Sequence, residues 1–213
     1  MKKIFLISLL SLLQFNILAQ NKWQSFKKLS SPEKRWVLFH PFVASKAYNI
    51  SKEAKQLSDS LTKDTILDCD PNGGQVDAFR HAYWMARLTQ EIGWHKAKSL
   101  GKAHEKGNYI QFLKGNKEDG GLPDKVASDM DFLNNDIGIG IGLDYKKVPP
   151  DSLKKIIISR ILNGEMWIIL KNKEGKYIDC DGNTIQDSLL IGKWNTPKCL
   201  AKSNKVKKKR CPR

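Results

Sequence analysis

The stretch from Asn72 to Glu105, NGGQVDAFRHAYWMARLTQEIGWHKAKSLGKAHE, places polar residues at helical spacing where an amphipathic helix presents its inner face. Val76, Phe79, Ala82, Tyr83, Ala86 and Leu88 predict a helix from Gln75 to Glu91. Asp77, Arg80, His81 and Trp84 fall three or four apart and therefore share one side of it. A second helix, from Trp94 to about Lys106, ends in His104-Glu105, and a third, from about Pro123, carries Asp129, Asp131, Asn134 and Asn135. An apolar core would choose none of these acids, imidazoles and amides. Three helices that each bring such groups inward specify a mainly α, single-domain helical bundle built around a polar centre.

The motifs DAFRHAYW at Asp77–Trp84, AHE at Ala103–Glu105 and MDxxNNxxG at Met130–Gly138, in that order, resemble a bacterial and phage domain of unknown function. The resemblance spans roughly Trp36 to Gly142 and implies an exported or toxin-like protein. It brings no reaction with it, so the chemistry must come from the residues.

At the start of the chain, Lys2 and Lys3 precede the apolar run IFLISLLSLL, and Ala19-Gln20 offers a small residue for cleavage. Residues 1–20 read as a secretory signal peptide, too short in its apolar part to span a membrane. Residues 21–164 then form the helical domain with the polar motifs, 165–200 an appended β-hairpin, and 201–213 a basic tail. The formal charge of +15 becomes +13 once Lys2 and Lys3 leave with the signal. That balance favours anionic partners, an envelope phospholipid or wall polymer ahead of nucleic acid, for which no recognition motif is present. The KSNKVKKKRCPR end supplies much of the charge and reads as a solvated tail.

Four cysteines in an exported chain imply two disulfides, and of the three pairings Cys69–Cys180 with Cys199–Cys211 is preferred because the second would pin the polar tail. The absence of C-x-x-C and an oxidising destination weigh against a cysteine zinc site. Ser31 is expected to cap a first helix, with Pro32 and Glu33 in its first turn and Trp36, Val37 and Phe39 inward. A second, Pro41 to Leu61, should bury Phe42, Val43, Ala47, Ile50, Ala54 and Leu57, with His40 packing at the break. The acid-rich segments from Asp68 and from Asp179 lack the glycine and distal glutamate of a calcium loop and read as turns. Asn108–Gly121 reads as a loop where a substrate lid could lie, or equally as a solvated connector. IGIGIG after Asn135 should end the third motif helix and let the backbone pass close to a neighbour. A further helix, Pro150–Leu162, closes at Asn163-Gly164. Trp167–Leu170 and Tyr177–Ile178, around the turn Asn172–Gly175, read as the hairpin.

Two neutral imidazoles, His81 and His104, with Asp77 and Asp131, make a ligand set for zinc or another divalent cation. Glu105 would then serve as general base, and Arg80 or Asn135 would steady negative charge on a substrate oxygen. No H-E-x-x-H is present, and the adjacent His104 and Glu105 lie about 100° apart on a helix. Metal-free acid–base catalysis by His81 with Asp77, or by Glu105 with Asp131, competes with the metal site. A purely structural network of Asp77–Arg80 and His81–Glu105 pairs, with Asn134 and Asn135 capping helices, is the bland alternative. Trp84, Tyr83 and Trp94 belong to the core. The expected function is an exported hydrolase or toxin-like effector acting on an anionic phosphoester or similar envelope component. The alternative is an envelope-binding protein that works through its charge.

Overall fold

A computed structural model describes residues 23–115, 123–206 and 211. The expected signal peptide, the glycine-bearing end of the expected lid and most of the basic end lie outside them. The helices are α1 (Ser31–Phe39), α2 (Pro41–Leu61), α3 (Gln75–Ile92), α4 (Trp94–Leu113), α5 (Lys125–Asp144) and α6 (Pro150–Leu162), and residues 23–28 are helical too. A two-stranded antiparallel sheet near the C-terminus pairs β1 (Trp167–Ile169) with β2 (Leu200–Lys202). The protein is therefore mainly helical with a small sheet. No helix among the described residues is long and apolar enough to cross a membrane.

The motif helix α3 is the axis of the bundle: α2, α4, α5, α6 and β1 all pack on it. Val76, Phe79, Ala82, Tyr83, Met85, Ala86 and Leu88 are all fully buried, so its apolar stripe continues around most of its girth. Its start is held by Asp68, whose carboxylate accepts the Gln75 and Val76 N–H groups at 2.7 and 3.4 Å. Asp70 and Asn72 close the preceding turn, as expected of ordinary turn chemistry.

The third motif helix does not stop at Asn135. It runs through IGIGIG to Asp144, because Gly138 and Gly142 lie four apart on the face pressed against α3. A Cβ at Gly138 would collide with the Ala82 carbonyl, and one at Gly142 would lie 2.6 Å from the Ala86 carbonyl oxygen. Close approach of two backbones, rather than helix termination, is what these glycines provide. The helix from Trp94 likewise continues beyond Lys106 to Leu113, where Tyr109 and Phe112 pack their rings against Trp194 at 4.8 and 5.1 Å.

At α1 the cap is Ser30, one residue before the expected Ser31. Its side chain accepts from the Glu33 N–H, and Glu33 Oε2 accepts from the Ser30 N–H at 2.8 Å, a reciprocal capping box. Trp36 is buried, but Phe39 and Phe42 point outward, since the α1–α2 corner turns them away from the bundle. His40 packs at that break, stacked on Trp36 with Nδ1 2.9 Å from the Trp36 carbonyl. Tyr83 and Trp84 are in the core, whereas Trp94 is exposed at the first position of α4 and stacks on His95.

The expected pairing of Trp167–Leu170 with Tyr177–Ile178 reduces to single bridges, Lys171 to Tyr177 and Ile178 to Thr184. The ladder partner of β1 is Leu200–Lys202 instead. Ile168 and Ile169 are buried, and Asn134 of α5 holds the strand in place: its amide donates to the Trp167 carbonyl at 2.9 Å and accepts the Trp167 N–H at 3.0 Å. Asn134 thus pairs with a strand and caps no helix. The segment 201–206, expected to open a solvated tail, is tied into the fold. Ser203 is fully buried, its hydroxyl donates to the Ile161 carbonyl at 2.7 Å, and its carbonyl accepts from Gln75 Nε2 at 2.8 Å.

The disulfides are Cys69–Cys211 and Cys180–Cys199, with Cα separations of 5.6 and 4.8 Å, so the preferred pairing is overturned. The reason is local. The Cys199 N–H donates to the Ile178 carbonyl at 3.1 Å, which lays Cys199 beside Cys180 and leaves Cys69 to the C-terminal cysteine.

Candidate functional site

On α3, the i, i+3, i+4 spacing delivers Asp77, Arg80 and His81 to one place. Asp77 is fixed by its own helix start: Oδ2 accepts the Gly73 N–H at 2.6 Å. Its Oδ1 lies 2.7 Å from Arg80 Nη2 and 3.6 Å from His81 Nε2. Helix α5 brings Asp131, whose Oδ1 is 3.2 Å from the same His81 nitrogen, and one turn later Asn135, whose Oδ1 is 3.3 Å from His81 Nδ1.

His81 is 3% exposed. Burial, reinforced by the nearby Arg80 and His104 charges, pushes its pKa well below the usual imidazole range, so the ring is neutral at physiological pH. A neutral ring has one N–H. With the Asn135 oxygen toward it, Nδ1 carries the proton and the Nε2 lone pair faces two carboxylate oxygens. Three acceptors at such distances repel unless a cation lies among them, and Arg80 Nη2, 3.5 Å from Nε2, is the cation present. With the amide turned over, Asn135 would donate to Nδ1 and Nε2–H would point at Asp131, a conventional His–Asp pair.

One ligand atom from each of Asp77, His81 and Asp131 lies within 4.8 Å of the others. The 3.2 and 3.6 Å edges from Nε2 to the carboxylates match the roughly 3.3 Å that adjacent ligands keep at metal distances of about 2.0 Å in a tetrahedral site. A neutral imidazole with two carboxylates suits zinc or manganese. The donor set therefore fits a divalent cation, with Arg80 as the group that an incoming ion would displace.

His104, expected in that sphere, is elsewhere. Its ring centroid lies 6.3 Å from that of His81, and its Nδ1 is 3.0 Å from Glu33 Oε1. Glu33 thus uses both oxygens, one to cap α1 and one to hold the imidazole of α4. Burial raises the Glu33 carboxyl, but the His104 hydrogen bond and charge, together with Ser30, outweigh it and bring the pKa down to about 2. The contact depends on Gly107, one turn along α4, where a Cβ would run into the Ser30 side chain. Spacing gave no hint of Glu33 as a site residue; the Ser30-x-x-Glu33 pattern marks a helix start, and only packing reveals its second partner.

Glu105, adjacent to His104 on α4, faces away as the helical angle requires. It is buried, and its Oε2 accepts from Ser128 Oγ at 2.9 Å and Asn108 Nδ2 at 3.4 Å. It does not line the cleft where Glu33, Arg80, His81 and His104 are reached. That cleft, about 340 Å³, has Trp36, Ala47 and Trp84 among its walls, and Asp77 and Asp131 stand behind its floor. The motifs therefore divide: Asp77, Arg80, His81, Asp131 and Asn135 form one cluster, His104 a neighbouring pair with Glu33, and Glu105 a buried network.

No curated protein and no solved structure matches this chain. Residues 34–165 match the family described as Domain of unknown function (DUF6973), a span that begins just after Glu33 and holds every other residue of the cluster, and the chain belongs to that family.

Proposed function

We propose that the protein is an exported hydrolase acting on an anionic ester or phosphoester of the cell envelope, in the manner of a toxin-like effector. The observation that carries the reading is the cleft floor, where a carboxylate-held imidazole, His104 with Glu33, stands beside Arg80 and His81. Donation of Nδ1–H to Glu33 makes Nε2 the basic nitrogen of His104. In this role, taken over from Glu105, His104 removes the proton of the attacking water while the water oxygen bonds to the carbonyl or phosphoryl centre. The imidazolium formed is stabilised by Glu33 and returns the proton to the departing ester oxygen. Arg80 binds the substrate anion and the negative charge that grows on its oxygen. Asp77, His81 and Asp131 are the residues that would hold zinc or another divalent cation, and Asn135 orients the His81 ring. When bound, such an ion would supply Lewis acidity. Two disulfides support an oxidising compartment, in keeping with the signal-like start of the chain.

The test is hydrolysis of anionic ester and phosphoester substrates, with metal content measured on the same preparation. His104→Ala should lower kcat by roughly 10²-fold or more, and His81→Ala should remove the metal. Activity of His104→Ala equal to that of the wild type would sink the assignment. The second reading, an envelope-binding protein without catalysis, is favoured by the charge of +13 left after the signal. It requires adsorption to anionic vesicles or wall polymer that falls steeply with salt, with no turnover.

A further inference from the structure

The corner between α1 and α2 carries the two most exposed large apolar side chains of the described residues, Phe42 and Phe39, with Leu38 and Trp23 near them. Phe42 is 98% exposed, Phe39 77%, Leu38 69% and, on the preceding helical stretch, Trp23 56%. Water-facing aromatics at a helix junction cost solubility and mark a surface used for contact. The charges around them are one-sided. Between residues 23 and 48 the cations are Lys27, Lys28, Lys34, Arg35 and Lys46, the last paired with Glu91 of α3 at 3.0 Å, and the sole acid of that segment is Glu33, turned inward onto Ser30 and His104. Aromatic side chains flanked by lysines form the pattern that inserts at the interface of an anionic bilayer.

This corner also opens into the cleft. A second, mostly apolar hollow of about 510 Å³ lies beneath Trp23, Phe26 and Leu38, and Leu29, Val37, Ala44 and Tyr48 line both it and the site cleft. Each volume is within the range of roughly 300–1,000 Å³ that holds a bound small molecule. The charged groups of the groove stand at one end, where Arg80, Lys55 and the Glu33–His104 pair lie, while Ser25 and Ser45 are the polar groups at the other. A ligand that follows it is apolar along its length and anionic at the end that meets Arg80 and Lys55.

We propose that the α1–α2 corner docks on an anionic phospholipid surface and that the groove takes one acyl chain of such a lipid, bringing its head-group region to Arg80 and His104. The inference rests on the hydrolase reading for what happens at the polar end. The docking itself does not need it.

The test uses the full chain and its His104→Ala variant, in co-sedimentation with vesicles of phosphatidylglycerol mixed with phosphatidylcholine and with phosphatidylcholine alone. Both proteins should partition to the anionic vesicles and not to the neutral ones. Phe39→Ser and Phe42→Ser, at exposed positions where folding is not at stake, should each weaken partitioning by about tenfold. Ala44→Trp, at the junction of the two hollows, should leave adsorption intact and abolish the fluorescence enhancement of dansyl-undecanoate. Adsorption indifferent to the two serine substitutions would assign it to the apolar leader or to bulk charge, and would overturn the proposal. So would equal binding to neutral vesicles, undiminished probe fluorescence in Ala44→Trp, or a dimer that the serine substitutions dissociate without any vesicle binding. Because adsorption is read in His104→Ala, loss of the hydrolase reading leaves the docking result standing, and the reverse also holds.

Discussion

Replacing Glu33 by glutamine tests the link between the capping of α1 and the His104 pair. In the folded chain the carboxylate accepts from Ser30 N at 2.8 Å and from His104 Nδ1 at 3.0 Å. Glutamine keeps the shape but has one acceptor, so one of those two N–H groups must face an amide NH₂. The Glu33 pKa falls from the ordinary 4.5 to about 2. A drop of that size is about 3 kcal/mol of stability, at about 1.4 kcal/mol per unit. The sign is that of a depressed carboxyl: the stabilisation is complete above about pH 4.5 and is lost as pH falls toward 2. Urea unfolding of wild type and Glu33→Gln, with disulfides intact, at pH 7, 4 and 2.5 reads this directly. The other carboxyls titrate in both proteins, so the difference between the curves reads Glu33 together with its partner His104. The variant should be about 3 kcal/mol less stable at pH 7, and the gap should close toward pH 2. A gap below about 0.5 kcal/mol at pH 7, or one that stays constant across the range, would refute the argument.

The glycine contacts make a paired prediction: Gly138→Ala, whose Cβ meets the Ala82 backbone, should destabilise by about 2 kcal/mol despite better helix propensity. Gly140→Ala, with nothing within 4 Å, should be neutral or stabilise by up to about 1 kcal/mol, and thermal unfolding separates the two. Asn134→Ala strips both hydrogen bonds from the Trp167 backbone and should cost about 2–3 kcal/mol in denaturant titration; a loss under about 0.5 kcal/mol would mean the strand does not need them. Peptide mapping without reductant should recover Cys69 linked to Cys211 and Cys180 to Cys199. Their separations of 142 and 19 residues give about 5 and 3 kcal/mol of stabilisation on the chain-entropy argument, so Cys69→Ser/Cys211→Ser should lower stability more than Cys180→Ser/Cys199→Ser.

Periodicity was sufficient for α2, α3 and α6, whose limits follow from the apolar spacing, from Pro41 and Pro150, and from the glycines at 74, 93 and 164. It was also sufficient to put Asp77, Arg80 and His81 together, because residues three and four apart on one helix are neighbours whatever surrounds them. Asp131 and Asn135 join them because the same rule works on α5. What failed in the sequence reading failed where the cause lies on another segment. IGIGIG looks like a helix stop until Ala82 and Ala86 are seen against it, and a lone apolar strand does not say whether its partner is ten or thirty residues on. Phe39 and Phe42 fit an inward face by spacing, yet the α1–α2 corner rotates both into solvent. His104 and Glu105 are inseparable in the sequence; the direction of α4 relative to α1 and α5 gives one to Glu33 and the cleft, the other to Ser128. Local chemistry, then, is written along the chain because it depends on the pitch of one helix. Which imidazole meets which carboxylate, and which cysteine meets which, depends on how helices and strands cross, and that is decided only when the core closes.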